Sequence, residues 1–143
     1  MFQPTRDQSR LLFFDTWRKY RQREALSGIE VIALEVILLH PEYHEILNDP
    51  EQYLDKDYPP ETGVTNPFLH MAMHVAIMEQ LSINQPVGIC ERFDRLLKDT
   101  EDAHAAAHQV MECLAEMIWQ AQRNQTAPEV SVYFECLDRQ RND

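Results

Sequence analysis

Glycine is scarce in this chain, with three residues in 143. No Gly-rich phosphate loop and no dinucleotide fingerprint is visible. Long hydrophobic runs are missing too, since no uninterrupted apolar stretch approaches the ~18 residues that a membrane helix needs. Basic residues are outnumbered, 13 Lys and Arg against 24 Asp and Glu, for a net charge of -11 and a pI near 4.9. A duplex-binding surface needs an excess of Lys and Arg, so the balance argues against nucleic acid. Arg18, Lys19, Arg21 and Arg23 form one basic cluster, which reads as a solvated helix end. Cysteine is sparse and odd in number. Cys90, Cys113 and Cys136 show no CxxC spacing and read as reduced thiols of a cytoplasmic protein. Cys113 is the one thiol to weigh as a ligand. The opening MFQPTRDQSR has no apolar h-region, so no signal peptide is expected. No Ser/His/Asp or Cys/His nucleophile arrangement stands out, which disfavours the hydrolase, kinase and dehydrogenase classes.

What is present points to helices. Apolar residues make up 44% of the chain, enough for one domain over 1–143 with a real core, and their spacing is helical. The expected fold is all-α, a compact up-and-down bundle of four to five helices. Helix 1 should span about Asp7 to Arg23, with Leu11, Phe14, Trp17 and Tyr20 as its apolar stripe. Ser27 and Glu30 have capping-box spacing, so helix 2 should start near Gly28. His40-Pro41 interrupts it, either kinking the helix or restarting a new one at Pro41 with His40 as a cap. Residues 48–66 read as a long loop, either a lid or a simple crossover. Asn66-Pro67 should open helix 3, which runs to about Leu81. Helix 4 is expected over Val87 to Lys98, and helix 5 from Asp99 or Thr100 to about Arg123. Residues 124–143 form a tail, in which Val130 to Leu137 reads as a short helix or an extended arm.

The histidines depart furthest from chance. All six fall into i, i+4 pairs: His40/His44, His70/His74 and His104/His108. Random scatter would give well under one such pair. Residues four apart lie one above the other on a helix, and two imidazoles so placed can chelate one ion. Neutral imidazole is the common nitrogen ligand of zinc, iron, copper and nickel. The candidate metal ligands are therefore His40, His44, His70, His74, His104, His108 and Glu112, the last completing a ladder with His104 and His108. Glu35, Glu79 and Asp102 are candidates to orient a ring. Six imidazoles exceed the needs of one four-coordinate ion. Either two ions share Glu112 as a bridge, or one ion takes three or four of the ligands and the other histidines lie around it. The rival reading is a structural network of imidazoles bonded to carboxylates. Met71 and Met73 lie off the histidine face and read as core residues.

The segments HPEYH, NPFLHMAMH and DAHAAAHQVMECLAE resemble a small bacterial family of uncharacterised proteins found mainly in proteobacteria. The resemblance runs from LLFFDTWRKY to EMIWQAQR. It implies a compact helical fold in a bacterial cytoplasm and adds no reaction. A weaker likeness, in pattern alone, is to hemerythrin-like bundles, which hold two irons through HxxxE and HxxxH pairs. His70/His74 looks like such an HxxxH pair and His108/Glu112 like an HxxxE pair. The chain departs from that pattern in helix 1, which carries no histidine, and in lacking a final HxxxxD element. The three-histidine sites of the bundle family linked to thiol transfer and DNA-damage induction are a further loose analogue.

Three functions stay open on these grounds. One is a metal-dependent enzyme in which a bound water is the nucleophile and Glu112 or a neighbouring carboxylate the base. Another is a non-catalytic sensor or store for metal or oxygen. The third is a protein-interaction module with structural histidines. Zinc and iron are the leading metals. The partner expectation is no nucleic acid, no membrane, a small-molecule ligand of unknown identity, and a homodimer as a permitted arrangement.

Overall fold

Pro41 sets the first boundary that matters for function. A computed structural model describes residues 6–59, 63 and 65–140. They form eight α-helices and one 3-10 turn, with no strand among the described residues. The all-α expectation stands, but the four to five helices become eight, because short turns form where a plain loop was expected. The described residues divide into two compact units, residues 1–76 and 77–143, and the division falls inside one helix.

In the first unit, α1 (Arg6–Arg21) packs on α2 (Ile29–Leu38). The buried face of α1 is Arg10, Phe13, Phe14 and Trp17, while Leu11 and Tyr20 are exposed. The stripe is thus rotated from its expected line towards Phe13. α2 buries Ala33, Val36 and Ile37. It starts near Gly28, as expected, but Gly28 itself is the N-cap and no side chain caps the helix. One half of the capping box does form, with the Ser27 amide donating to Glu30 Oε1 at 3.3 Å. Proline disfavours helical geometry in the residue before it. His40 accordingly sits at φ -128°, and a 3-10 turn restarts over Pro41–Tyr43, followed by α3 (His44–Leu47). Of the two readings of Pro41, the restart is the one observed.

The 48–66 stretch carries a one-turn helix, α4 (Pro50–Tyr53), capped by Asp49, whose side chain accepts from the Gln52 amide. Residues 60–62 and 64, inside that stretch, lie outside the described residues, so the lid expectation falls partly there. Buried Arg10 ties the stretch down. Its Nη1 donates to the carbonyls of Tyr53 at 3.0 Å and Leu54 at 2.9 Å, and its guanidinium lies 4.7 Å from the Phe68 ring centre. The next helix is α5 (Pro67–Ile83), through which the division into units runs. Asn66 caps it, its side-chain oxygen accepting from the amides of Phe68 and Leu69 at 3.0 and 3.2 Å.

In the second unit, α6 (Ile89–Thr100), α7 (Ala103–Asn124) and α8 (Val130–Gln140) pack against one another. Their apolar core includes Ile89, Leu96, Val110, Leu114, Tyr133 and Leu137. Gly88 precedes α6 at φ 103°, a conformation L side chains rarely adopt. The start of α7 departs from the expected Asp99 or Thr100. Thr100 belongs to the end of α6, where its hydroxyl donates to the Leu96 carbonyl, and Asp102 is the true cap. The tail resolves into the helical alternative, α8.

The reading of three reduced thiols is corrected. Cys113 on α7 and Cys136 on α8 are joined by a disulfide, with Cα atoms 5.5 Å apart. The pairing depends on how α7 and α8 pack, and no local spacing announces it. Bonded in this way, Cys113 is no thiolate ligand. Cys90 is a free thiol whose Sγ donates to the Leu81 carbonyl at 3.1 Å. Among the described residues no helix is long and apolar enough to cross a membrane.

Candidate metal centre

The first unit gathers three of the histidines. The break at Pro41 lets the His40 ring fold back over the end of α2. Its Nδ1 lies 2.7 Å from the Val36 carbonyl oxygen, and His40 is only 2% exposed. A carbonyl can only accept, so Nδ1 carries the ring proton in this contact. This is the arrangement in which a protein prepares an imidazole for a metal.

Two more rings come from α5. Because Asn66 and Pro67 set the start of that helix, His70 and His74 stand one turn apart on the same face. Their Nε2 atoms are 3.2 Å apart. The His40 ring centre lies 5.0 Å from that of His70 and 4.7 Å from that of His74. His74 is 3% exposed. Tyr43 stacks on His40, with ring centres 5.5 Å apart. Burial, aided by the Glu42 carboxylate, raises the Tyr43 phenol above its usual range. Sequence reasoning passed over Tyr43, although its place three residues after His40 in HPEYH was the available signal.

His44 is placed differently. Its Nε2 lies 2.9 Å from the Ile37 carbonyl oxygen, so this nitrogen holds the proton and is taken up as a donor. The ring packs on Trp17, with centres 4.4 Å apart. Trp17 in turn donates from Nε1 to Asn48 Oδ1 at 2.8 Å. These contacts describe a side chain that joins α3 to α1 and α2.

The second unit contributes a pair. The Asp102 side chain accepts from the His104 amide at 3.0 Å, which starts α7 at the turn bearing His104. Asp102 therefore acts on the histidine backbone. His104 is half-buried and His108 exposed, and their Nε2 atoms are 3.0 Å apart. Glu112, the next rung of that ladder, is exposed and accepts from Gln140 Nε2 at 3.4 Å. Glu35 is exposed on α2, and Glu79 is half-buried on α5.

Both Nε2···Nε2 distances suit chelation. A tetrahedral ion with metal–nitrogen bonds of about 2.0–2.1 Å separates its ligand nitrogens by roughly 3.3 Å. Within the first unit His40, His70 and His74 bring three imidazoles together, and within the second His104 and His108 form a chelating pair. His44 and Glu112 are engaged elsewhere, by the Ile37 carbonyl and by Gln140.

These features define an all-α protein with a cluster of histidines suited to a metal. The chain belongs to the family described as a domain of unknown function, DUF1841, whose model matches residues 5–139. No curated protein and no solved structure matches it.

Proposed function

We propose that this protein binds a transition-metal ion, zinc or iron, through imidazole nitrogens, with His40, His70 and His74 of the first unit as ligands and the His104/His108 pair of the second unit as a further chelating pair. The observation that carries the reading is the gathering of the His40, His70 and His74 rings, whose centres lie 4.7 to 5.0 Å apart. The Val36 carbonyl supports it by directing the proton of His40 to Nδ1. The Nε2 atoms of His70 and His74 are 3.2 Å apart, as chelation requires. Three imidazoles with a fourth position open to water are the make-up of a catalytic zinc site, and the same three with a further protein donor hold or sense an ion. Iron is kept beside zinc because imidazole suits both, and because His70/His74 resembles the HxxxH pair of hemerythrin-like bundles.

The test is the metal content of untagged protein purified without chelator, by elemental mass spectrometry. We expect near-stoichiometric zinc or iron in the parent protein and in His44→Phe, with loss in His74→Ala/His108→Ala. X-ray absorption should find imidazole nitrogens around the ion. Protein that is metal-free, and that takes up no zinc, iron(II) or manganese on titration, overturns the reading. An added water oxygen in the shell would favour the enzyme alternative.

A further inference from the structure

The disulfide joining α7 to α8 presents its two sulfurs unequally to solvent. Cys113 is fully buried, whereas Cys136 is half-buried. Of the two residues only Cys136 has exposed surface, so a nucleophile from solvent would approach on its side. Gln140, one turn after Cys136, donates from Nε2 to Cys113 Sγ at 3.8 Å. An amide donor on that sulfur stabilises negative charge developing there.

The docking of α8 does not depend on the disulfide alone. Tyr133 and Leu137 are buried in the core, and the Tyr133 hydroxyl donates to Gln80 Oε1 at 2.8 Å. Arg92 on α6 pairs with Asp138 at 3.1 Å, and its guanidinium lies 3.9 Å from the Phe134 ring centre. Cleavage of the bond would leave α8 in place, so the pair can cycle without unfolding the second unit.

We propose that Cys136 is a site of reversible thiol–disulfide exchange with small thiols, and that Cys113 is the leaving group. A small thiolate attacks Cys136 Sγ and forms a mixed disulfide there. The Cys113–Cys136 bond breaks, its electron pair leaves on Cys113 as a thiolate beside the Gln140 amide, and that thiolate takes a proton from water. A second small thiolate then attacks the small-thiol sulfur of the mixed disulfide, releasing a small disulfide and the Cys136 thiolate, which is protonated in turn. Two small thiols are oxidised to one disulfide, and the protein disulfide is reduced to two thiols. With a small disulfide as the oxidant the sequence runs backwards.

The test uses the full chain with Cys90→Ser, removing the free thiol on α6, and glutathione as the probe. Native protein is incubated with millimolar reduced glutathione, quenched by alkylation and mapped by mass spectrometry. We expect loss of the disulfide without loss of circular dichroism, with a transient glutathione adduct confined to Cys136. Adding Cys113→Ser should make that adduct persist with oxidised glutathione. Adding Cys136→Ser should leave Cys113 unmodified in folded protein. The wild-type pair carries the test should either variant fail to fold. A bond that yields only in denaturant, an adduct on Cys113, or a pair that stays reduced under oxidised glutathione each overturns the proposal.

Discussion

The Nδ1 atom of His40 stands 2.7 Å from the carbonyl oxygen of Val36, one turn back along the chain. That contact dictates which nitrogen can meet a metal. Asparagine at position 40 can still offer an amide donor to the carbonyl but has nothing in place of Nε2. His40→Asn is expected to weaken metal binding by more than the roughly 10–100-fold that follows loss of a partner outside the ligand set. The metal-free fold should lose only about 1 kcal/mol, typical of one altered hydrogen bond. Competition titration with a chromophoric chelator, beside urea unfolding, measures both. Unchanged affinity would remove His40 from the ligand set.

His44 is the contrasting case. Phenylalanine there keeps the packing on Trp17 and loses the bond to the Ile37 carbonyl. His44→Phe should cost about 1 kcal/mol of stability and leave metal content as in the parent. Loss of metal in a folded His44→Phe protein would assign His44 a ligand role.

Lys19 pairs with Glu30 at 2.7 Å. The Lys19 ammonium, with help from the Ser27 amide, holds the Glu30 carboxyl below its usual value of 4.5 despite an opposing contribution from burial. A lowered carboxyl adds stability above the ordinary glutamate range and loses it as pH falls through the folded-state value. Lys19→Met should therefore destabilise the protein at neutral pH by no more than ~1 kcal/mol, the range of surface pairs. The difference should vanish at pH values where Glu30 is protonated in both folded forms. Urea midpoints across the acid range follow this directly, and a gap that persists in acid would exclude the ion pair as its source.

Tyr133 is fully buried and donates to Gln80 at 2.8 Å. Tyr133→Phe leaves the Gln80 oxygen without that donor and should cost about 1–3 kcal/mol. Burial pushes the Tyr133 phenol up, far beyond its usual range. The neutral hydroxyl therefore contributes fully below the unfolded tyrosine pKa of ~10, and that contribution drains away as pH rises further. The parent should lose stability in alkali more steeply than Tyr133→Phe, as denaturant midpoints would reveal. Parallel slopes would exclude Tyr133 from the alkaline transition.

Much of the local structure is legible without coordinates. The cap at Asn66, the proline at position 67 and the pairing of His70 with His74 follow from short-range rules, and each is observed. The restart at Pro41 was one of two options that the proline allowed. Other signals misled because competing residues were close by. Thr100 resembles a cap, but its hydroxyl bonds back to Leu96, and Asp102 caps instead. The apolar spacing of α1 points to Leu11 and Tyr20, both exposed, because periodicity alone cannot choose between adjacent faces.

The helical fold and the chelating pairs of histidines are set by local order along the chain. Both follow from the 3.6-residue repeat, which acts over a few residues at a time. That His40 and His44, equivalent by spacing, part company is settled by packing. One turns Nδ1 to Val36 and the other gives Nε2 to Ile37, because the choice rests on carbonyls and rings brought near by packing. The union of Cys113 with Cys136 has the same origin. Twenty-three residues separate them in sequence, and only the packing of α8 on α7 brings the two sulfurs within bonding reach.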